Sequence, residues 1–219
     1  MKQLVSVIPV LLVLAGFGFG AQGSIVPKCE SPKTVLLVLD MQEDFLGENA
    51  KMPIAREQIP AITTVINGLI DEFERNGQEI IYIKSEFPKI ALGNRIRHHA
   101  AIKGSSGTNF YGKIRISGKS IFSKKKPDAF SNPEFEKYLA ANQVRRLVIT
   151  GVYADQCVLS TTLAALDRKY QVTFIRNGVG DRSEKEVNKA CAKVEKRGAE
   201  VIDYQPQAHI ESWQIPDAH

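Results

Sequence analysis

The sequence predicts an α/β fold in which a doubly wound, six-stranded parallel sheet lies between two layers of helices. Three observations predict it: strand and helix patterns alternate after the first 23 residues, the first strand is a continuous apolar run, and no internal repeat interrupts the alternation. Continuous apolar runs are typical of parallel strands that are buried on both faces. A chain of 219 residues can bury a substantial core as one domain without metal or disulfide staples. We therefore expect a three-layer αβα domain over residues 24–219.

Short apolar runs give the predicted strands, and longer stretches with apolar residues at helical spacing give the predicted helices. The predicted strands are residues 34–39, 80–83, 120–123, 146–151, 172–175 and 200–202. The predicted helices are residues 57–76, which stop at Asn76-Gly77, residues 155–169, and the charged stretch 183–197, which ends before Gly198. Residues 85–119 form a long irregular segment between the second and third strands. Helical crossovers between successive strands favour parallel pairing.

Residues 1–23 have the pattern of a secretory signal peptide. Lys2 provides a short positive region, residues 4–19 form an apolar stretch shorter than a comfortable membrane span, and Ala21-Gln22-Gly23 is a small-x-small cleavage site. We predict cleavage after Gly23, a periplasmic or secreted mature protein, and no stable membrane insertion after cleavage. An uncleaved signal anchor, held in the bilayer by the same apolar residues, is the alternative.

The composition is that of an ordinary globular protein, with 43% hydrophobic and 24% charged residues, which excludes disordered and collagen-like chains. Three cysteines are too few for a disulfide framework, although Cys29 and Cys191 could pair in an oxidising compartment. Lys and Arg number 29 against 24 Asp and Glu, a net charge of +5. Because the sequence has no recognised nucleic-acid motif and its aromatic residues do not interleave with the cations, we expect a small anionic substrate and no nucleic-acid partner.

Three chemically reactive side chains follow strands of the predicted sheet. Asp40 follows the first strand, Lys124 follows the third, and Cys157 follows the fourth in the first turn of the next helix. Lys125 and Lys126 extend the lysine run, and Lys125 is the alternative to Lys124. In a doubly wound sheet, ligands bind outside the carboxyl ends of the strands, near the switch in strand order. We therefore expect the acid, one amine and the thiol to lie close together at one edge of the sheet.

This set of side chains is suited to covalent catalysis. The start of a helix and a nearby positive charge are expected to lower the pKa of Cys157. Asp40 would take the thiol proton as a general base, and backbone N–H groups freed by the turn at Gly151 would stabilise an oxyanion. The expected chemistry is acyl transfer to water through a thioester. Taken singly, the cysteine could be a small buried apolar residue, the aspartate a helix cap, and the lysines a solvated turn.

Three ordered motifs resemble those of the isochorismatase-like cysteine hydrolases. They are Asp40-Met-Gln-Glu-Asp-Phe45, Lys124 followed by Phe130, and Gly151-Val-Tyr-Ala-Asp-Gln-Cys-Val158, and the likeness covers residues 33–203. The resemblance implies a Rossmann-type fold and a triad with Asp40 as general base, Lys124 as electrostatic partner and Cys157 as nucleophile. It also implies backbone oxyanion donors at Tyr153 and Cys157, a cis peptide after Val152, and a closed homo-oligomer.

The sequence departs from the family pattern after the second strand. Nicotinamidase-like members carry an Asp-x-His pair and a further His that hold a metal there, but the sequence here is Lys84-Ser-Glu-Phe-Pro-Lys-Ile90. His98 and His99 are adjacent, which places their side chains apart on a helix or a strand. We therefore expect no metal and no other cofactor, and nicotinamide is disfavoured as the substrate. Asp128 also stands where the family more often has Ser.

The segment 85–119 has glycines interspersed with arginines and lysines, and it is expected to form a lid or a partner-contacting loop over the strand ends. Phe45, Phe87 and Tyr153 are candidate walls of an apolar substrate pocket. We expect a secreted hydrolase of a small amide, imide or related acyl substrate. A vinyl-ether hydrolase of the isochorismatase type, and a non-catalytic binding protein that uses the basic loop 85–119, are the alternatives.

Overall fold

The computed structural model describes residues 33–118 and 120–206. The strands are β1 (Lys33–Leu39), β2 (Glu79–Ser85), β3 (Ser120–Lys124), β4 (Val144–Val152), β5 (Gln171–Gly180) and β6 (Glu200–Ile202). The α-helices are α1 (Glu43–Leu46), α2 (Ile59–Arg75), α3 (Pro133–Ala141), α4 (Leu159–Asp167) and α5 (Glu184–Lys196). The predicted signal peptide and Cys29 lie outside the described residues, so cleavage and the Cys29–Cys191 pairing stay predictions. Within the described ranges, no helix is long and apolar enough to cross a membrane.

All six strands pair in parallel within one sheet, in the order β3-β2-β1-β4-β5-β6. The chain adds β2 and β3 on one side of β1, and then returns to the other side of β1 to add β4, β5 and β6. The strand order therefore reverses between β1 and β4, and this switch point is where doubly wound sheets bind ligands. The predicted six-stranded, doubly wound parallel sheet is confirmed.

Helices cover both faces of the sheet, which gives three layers. Because successive residues of a strand point to opposite faces, the residues of β1 divide between two cores. Val35 and Leu37 pack in the core formed with α3, α4 and α5, whereas Leu36 and Val38 pack in the core formed with α2. These four side chains are fully buried, which explains why β1 is a continuous apolar run. The carboxyl end of β1 is consequently held at the centre of the molecule.

The α3 helix was not predicted, although its start has a clear local signal. Asn132 caps the helix, because its side-chain oxygen accepts a hydrogen bond of 3.0 Å from the Glu134 amide. Pro133 occupies the first helical position, where its missing N–H is not needed. The signal is therefore in the sequence Asn-Pro-Glu, and the prediction missed it.

The helix predicted at residues 155–169 begins differently from the expectation. A π-helical turn, Ala154–Val158, comes first, and α4 follows it. The Val158 amide donates to the Tyr153 carbonyl at 3.0 Å, a hydrogen bond that spans five residues. Cys157 therefore lies in a π-helical turn ahead of the α-helix, rather than in the first turn of the α-helix itself.

Candidate active site

Asp40 is placed at the switch point by the end of β1. Its amide donates to the Ile83 carbonyl of β2 at 2.8 Å, and its side chain is completely buried. The backbone at Asp40 has φ 54°, a left-handed conformation that aspartate tolerates better than most residues. This turn ends the strand and holds the carboxylate beside the ends of the neighbouring strands.

Lys124 ends β3, two strands away from β1, and its side chain reaches across β2. Its Nζ lies 2.7 Å from Asp40 Oδ2, 2.8 Å from Ser85 Oγ and 3.2 Å from Cys157 Sγ. The ammonium donates hydrogen bonds to Ser85 Oγ and Cys157 Sγ, and it forms an ion pair with Asp40 Oδ2. The side chain is 1% exposed, whereas Lys125 is exposed. The structure therefore brings Lys124, and not the alternative Lys125, to Asp40 and Cys157.

Cys157 is positioned by an unusual connection after β4. The peptide between Val152 and Tyr153 is cis, as the family resemblance implies. Gly151 has φ 117°, and a Cβ at this position would lie 2.0 Å from the Leu39 carbonyl oxygen, so only glycine fits here. The close approach of β4 to the end of β1 brings the thiol towards Asp40.

The electrostatics of the thiol differ from the sequence prediction. Although Cys157 is partly exposed, the dense packing around its sulfur and the negative charge of Asp40 raise the pKa of the thiol to about 12. Lys124 acts in the opposite direction, but its effect is smaller. The prediction of a lowered pKa was therefore wrong, because it considered the helix start and the cation but not the burial.

Lys124 stays charged in this environment. Burial alone would lower the pKa of its ammonium, but the charge of Asp40, together with the contact to Cys157, outweighs burial and raises it. At neutral pH the site thus holds an ammonium and a protonated thiol beside the Asp40 side chain. Ionising the thiol while both partners stay charged would leave the buried site with a net negative charge.

The backbone amides of the turn around Cys157 limit where an oxyanion could bind. The Asp155 amide donates to Asp181 Oδ2 at 2.8 Å, and the Gln156 amide donates to the Tyr153 carbonyl at 3.1 Å. These two amides already donate to acceptors within the protein, so they are not free to bind an oxyanion. The predicted oxyanion donors, the amides of Tyr153 and Cys157, remain a prediction.

Sequence reasoning missed two further residues of the site, Ser85 and Gln42. Ser85 Oγ donates to Asp40 Oδ1 at 3.0 Å, and the side chain of Gln42 forms hydrogen bonds to both backbone groups of Ser85. Both residues are almost completely buried. Gln42 was visible inside the first motif, and Ser85 was visible as a small polar residue at the end of β2. Only the register between strands reveals that Ser85 contacts Asp40 and Lys124.

The three predicted walls of the apolar pocket all pack in or against the core on the α2 side of the sheet. Phe45 and Tyr153 contact each other edge to face, with ring centroids 5.5 Å apart, and both are buried in the core on the α2 side. Phe87 lies after β2, where the guanidinium of Arg97 is 3.8 Å from the centre of its ring. Their role as walls of a substrate pocket stays a prediction.

Comparisons with known proteins show which family the domain belongs to. Residues 34–206 match the isochorismatase domain. The chain belongs to the isochorismatase family.

Relatives and solved structures extend this finding. The isochorismatase family protein PncA of Bacillus subtilis is 25% identical over 158 residues, which cover 67% of this chain and 86% of that protein. An isochorismatase-like hydrolase from Alkaliphilus metalliredigens superposes with a TM-score of 0.72 at 24% identity, covering 83% of this chain and 99% of that one. N-carbamoylsarcosine amidase from Thermoplasma acidophilum has a TM-score of 0.69 at 25% identity, covering 78% of this chain and 96% of that one. The protein is thus an isochorismatase-family hydrolase.

The residues after β2 do not fit the metal site that the resemblance implies for nicotinamidase-like members of the isochorismatase family. Lys84 pairs with Glu86 at 3.0 Å, the Ser85 hydroxyl is bonded to Asp40 and Lys124, and Phe87 packs on Arg97. Nowhere in residues 33–118 and 120–206 do three or more His, Cys, Asp or Glu side chains form a group that could hold a metal ion.

Asp128, the other departure from the family pattern, and the irregular segment after β2 are both held by local hydrogen bonds. Asp128 caps the short 3₁₀ turn that follows β3, because its Oδ1 accepts a hydrogen bond of 2.8 Å from the Phe130 amide. The irregular segment 85–119 is fastened to the domain by Asp44, whose Oδ2 accepts a hydrogen bond of 2.7 Å from the Ala101 amide. The lid or partner-contacting role of this segment stays a prediction.

Proposed function

We propose that this isochorismatase-family hydrolase cleaves the C–N bond of a small, non-peptide amide, imide or related acyl compound through a thioester on Cys157. The observation that carries the proposal is the position of Lys124 Nζ, 2.7 Å from Asp40 Oδ2 and 3.2 Å from Cys157 Sγ. The Asp40 carboxylate and the Cys157 thiol both contact one buried ammonium. A proton can pass from the thiol to the carboxylate without changing the total charge of the site.

In the first half-reaction, Asp40 accepts the thiol proton as Cys157 Sγ attacks the carbonyl carbon of the substrate. Lys124 stabilises the negative charge on both the carboxylate and the sulfur during this transfer. The carbonyl oxygen becomes an oxyanion, which the amides of Tyr153 and Cys157 stabilise. The C–N bond then breaks, the leaving nitrogen takes the proton from Asp40, and an acyl thioester remains on the sulfur.

In the second half-reaction, water attacks the thioester while Asp40 accepts one of its protons. The C–S bond breaks, a carboxylic acid leaves, and the sulfur takes the proton that Asp40 holds. The raised pKa of Cys157 supports this cycle, because the thiol is protonated at rest and is regenerated in the protonated form. Asp40 therefore acts on the thiol in the first half-reaction and on water in the second.

A trapped intermediate tests this proposal directly. We expect rapid quenching of the protein with a pool of small amides and imides to give a covalent adduct on Cys157, measured by intact mass and peptide mapping. The added mass equals the acyl group less the thiol hydrogen, so it also identifies the acyl part of the substrate. The Cys157→Ala variant should form no adduct and should not turn over the same compound.

Cys191 provides a matched control for the trapping experiment, because it is the other described free cysteine and is buried on α5. The Cys191→Ala variant should form the same adduct as the wild type. Turnover that survives in Cys157→Ala, or an adduct that maps to Cys191, would contradict the proposal.

We further propose that the substrate carries an anionic group. A cavity of about 410 Å³ lies beside the end of β3, and it is lined by lysines and uncharged residues with no acidic side chain among them. The lining residues are Lys103, Ser123, Lys124, Lys125, Lys126, Ser131, Asn132 and Pro133. A concave surface with one sign of charge attracts small ions of the opposite sign. This cavity therefore supports a carboxylate-bearing substrate that enters next to Lys124.

Removing charge at this cavity should weaken substrate binding more than catalysis. For the Lys125→Gln and Lys126→Gln variants, we expect KM for a carboxylate-bearing amide to rise roughly two- to fivefold per charge removed, with kcat little changed. The increase should shrink at high salt, because ions screen exposed charges. Steady-state kinetics with the charged amide and its uncharged counterpart measure this, and Lys196→Gln, at the exposed end of α5, is the control. Equal KM changes for both amides would refute the role of the charge.

We also propose that the mature protein is exported to the periplasm or the medium. The support is the pattern of residues 1–23, with its short positive region, apolar stretch and small-x-small site. Export would place the site where small molecules from outside the cell are met first.

A further inference from the structure

We propose that Ser85 is a positioning residue of the candidate site, whose hydroxyl sets the orientation of the Asp40 carboxylate and the Lys124 ammonium towards Cys157. The inference rests on the proposed function, because it assigns Ser85 a part in the same proton transfer. The observations that carry it are the place of Ser85 in the sheet, the direction of its hydrogen bonds, and the clamp that Gln42 forms around its backbone.

Ser85 lies at the point where Lys124 must cross the sheet. β2 separates β1 from β3, and Ser85 is the register partner of Lys124 in the β2–β3 pair. The Lys124 side chain runs from β3 over the end of β2 to reach Asp40 beyond β1. A small side chain at position 85 leaves room for this path, and Ser85 is 1% exposed. The place of Ser85 thus requires a residue that is both small and able to form hydrogen bonds.

The direction of the hydrogen bonds through the hydroxyl is determined by its neighbours. Lys124 has only protons to offer, so Nζ donates to Ser85 Oγ at 2.8 Å. The single proton of the serine hydroxyl is then free to be donated to Asp40 Oδ1 at 3.0 Å. The resulting chain runs from ammonium to hydroxyl to carboxylate, and each member holds the next in one orientation.

This chain distinguishes the two oxygens of Asp40. Oδ1 accepts from Ser85, whereas Oδ2 lies 2.7 Å from Lys124 Nζ. Because Oδ1 is already occupied, Oδ2 is the oxygen that faces the ammonium and remains able to take the proton of the Cys157 thiol. Without the Ser85 hydroxyl, the carboxylate could rotate and the ammonium would lose one of its two hydrogen-bond acceptors. The expected consequence is a slower proton transfer with little change in substrate binding.

Gln42 holds the Ser85 backbone in place. The Ser85 amide donates to Gln42 Oε1 at 2.7 Å, and Gln42 Nε2 donates to the Ser85 carbonyl at 3.0 Å. The same nitrogen also donates to the Thr108 carbonyl at 3.1 Å, which connects the clamp to the segment after β2. Gln42 is completely buried, so water does not compete for these bonds. Because one side chain fixes both backbone groups of Ser85, the clamp leaves the hydroxyl little freedom to move.

The test compares the full chain with three variants at position 85. We expect Ser85→Ala to lower kcat about 10- to 100-fold, the effect of losing a hydrogen bond to a charged group, while KM stays within about twofold. The acid limb of the pH profile of kcat should move to higher pH, because the charged form of Asp40 loses a hydrogen bond. Ser85→Thr retains the hydroxyl and should recover most of kcat, whereas Ser85→Cys retains the size but donates weakly and should resemble Ser85→Ala.

Ser120→Ala is the matched control, because Ser120 begins the same strand that Lys124 ends and its hydroxyl contacts Glu79 and Tyr138 at the opposite edge of the sheet. It should lower stability without moving kcat or the pH profile. A folded Ser85→Ala protein with unchanged kcat and an unmoved acid limb overturns the inference, even while Cys157→Ala prevents turnover. If Ser85→Ala does not fold, equal kcat values for the threonine and cysteine variants overturn it instead. Turnover that survives Cys157→Ala refutes the proposed function separately.

Discussion

Replacing Lys124 by methionine is expected to lower the free energy of unfolding by about 3–5 kcal/mol and to remove turnover. Asp40 is completely buried, and Lys124 Nζ at 2.7 Å is its counterion. Methionine fills a similar volume but leaves the carboxylate without an opposite charge in a medium of low polarity, which is costly. Urea denaturation followed by circular dichroism measures the change in stability, and the amide assay measures turnover.

Lys125→Met is the matched control for this experiment, because it is the neighbouring lysine and its side chain is exposed. Its free energy of unfolding should stay within about 0.5 kcal/mol of the wild type. Pairing Lys124→Met with Asp40→Leu removes both charges, and we expect this double variant to regain most of the lost stability while staying inactive. If Lys124→Met is as stable as Lys125→Met, the Asp40–Lys124 ion pair is not a buried contact that stabilises the fold.

The fold could be predicted from the sequence because the central strands are buried on both faces and therefore consist of continuous apolar runs. β1 and β4 lie at the centre of the sheet, and their apolar runs appear in the sequence as strands without ambiguity. The residues directly after them, Asp40 and the turn that carries Cys157, followed from the rule that parallel strands present their carboxyl ends at one edge. Sequence position alone was therefore enough to bring the acid and the thiol together.

The roles of Lys124 and Ser85 could not be predicted in this way, because their positions depend on how strands distant in sequence pair with each other. β3 lies at the edge of the sheet and is short, so its end could not be located to one residue from the sequence. The pairing of Ser85 with Lys124 decides which lysine points towards Asp40. The role of Ser85, at the end of β2, can be recognised only when the β2–β3 register is known.

The pKa of Cys157 could not be predicted because the sequence does not reveal desolvation. A helix start and a nearby lysine are visible as patterns, and both lower the pKa of a thiol. The packing around the sulfur and the charge of Asp40 act in the opposite direction and dominate. Which of these effects is larger depends on distances that only the folded structure provides.

Replacing Asp40 by asparagine should change thiol reactivity and turnover in opposite directions. In the wild type, burial and the negative charge of Asp40 raise the pKa of Cys157. Asparagine removes that charge, and the thiolate can then replace the carboxylate as the counterion of Lys124, so the pKa of the thiol falls relative to the wild type. We expect alkylation by iodoacetamide at pH 7.5 to become at least about tenfold faster. Turnover should nevertheless fall by about 10²–10⁴-fold, because asparagine cannot accept a proton from the thiol or from water.

The pH dependence of alkylation shows in which direction the pKa of Cys157 changes. An ordinary cysteine thiol has a pKa of about 8.5, and its alkylation rate levels off above that pH. Because the pKa of Cys157 is raised to about 12, the wild-type rate should still be rising above pH 9. In Asp40→Asn the rise should begin and level off at lower pH. Mass spectrometry of the alkylated peptide, sampled over time at each pH, measures both profiles.

Asp44→Asn is the matched control for the charge change, since Asp44 is also buried in the first motif but contacts the Ala101 amide rather than the thiol. Its alkylation profile should coincide with that of the wild type. If alkylation and turnover of Asp40→Asn decrease together, the carboxylate must ionise the resting thiol, and the cycle would begin from a thiolate. If alkylation increases while turnover decreases, the thiol is protonated at rest, and Asp40 acts by accepting its proton only when the substrate carbonyl is in position.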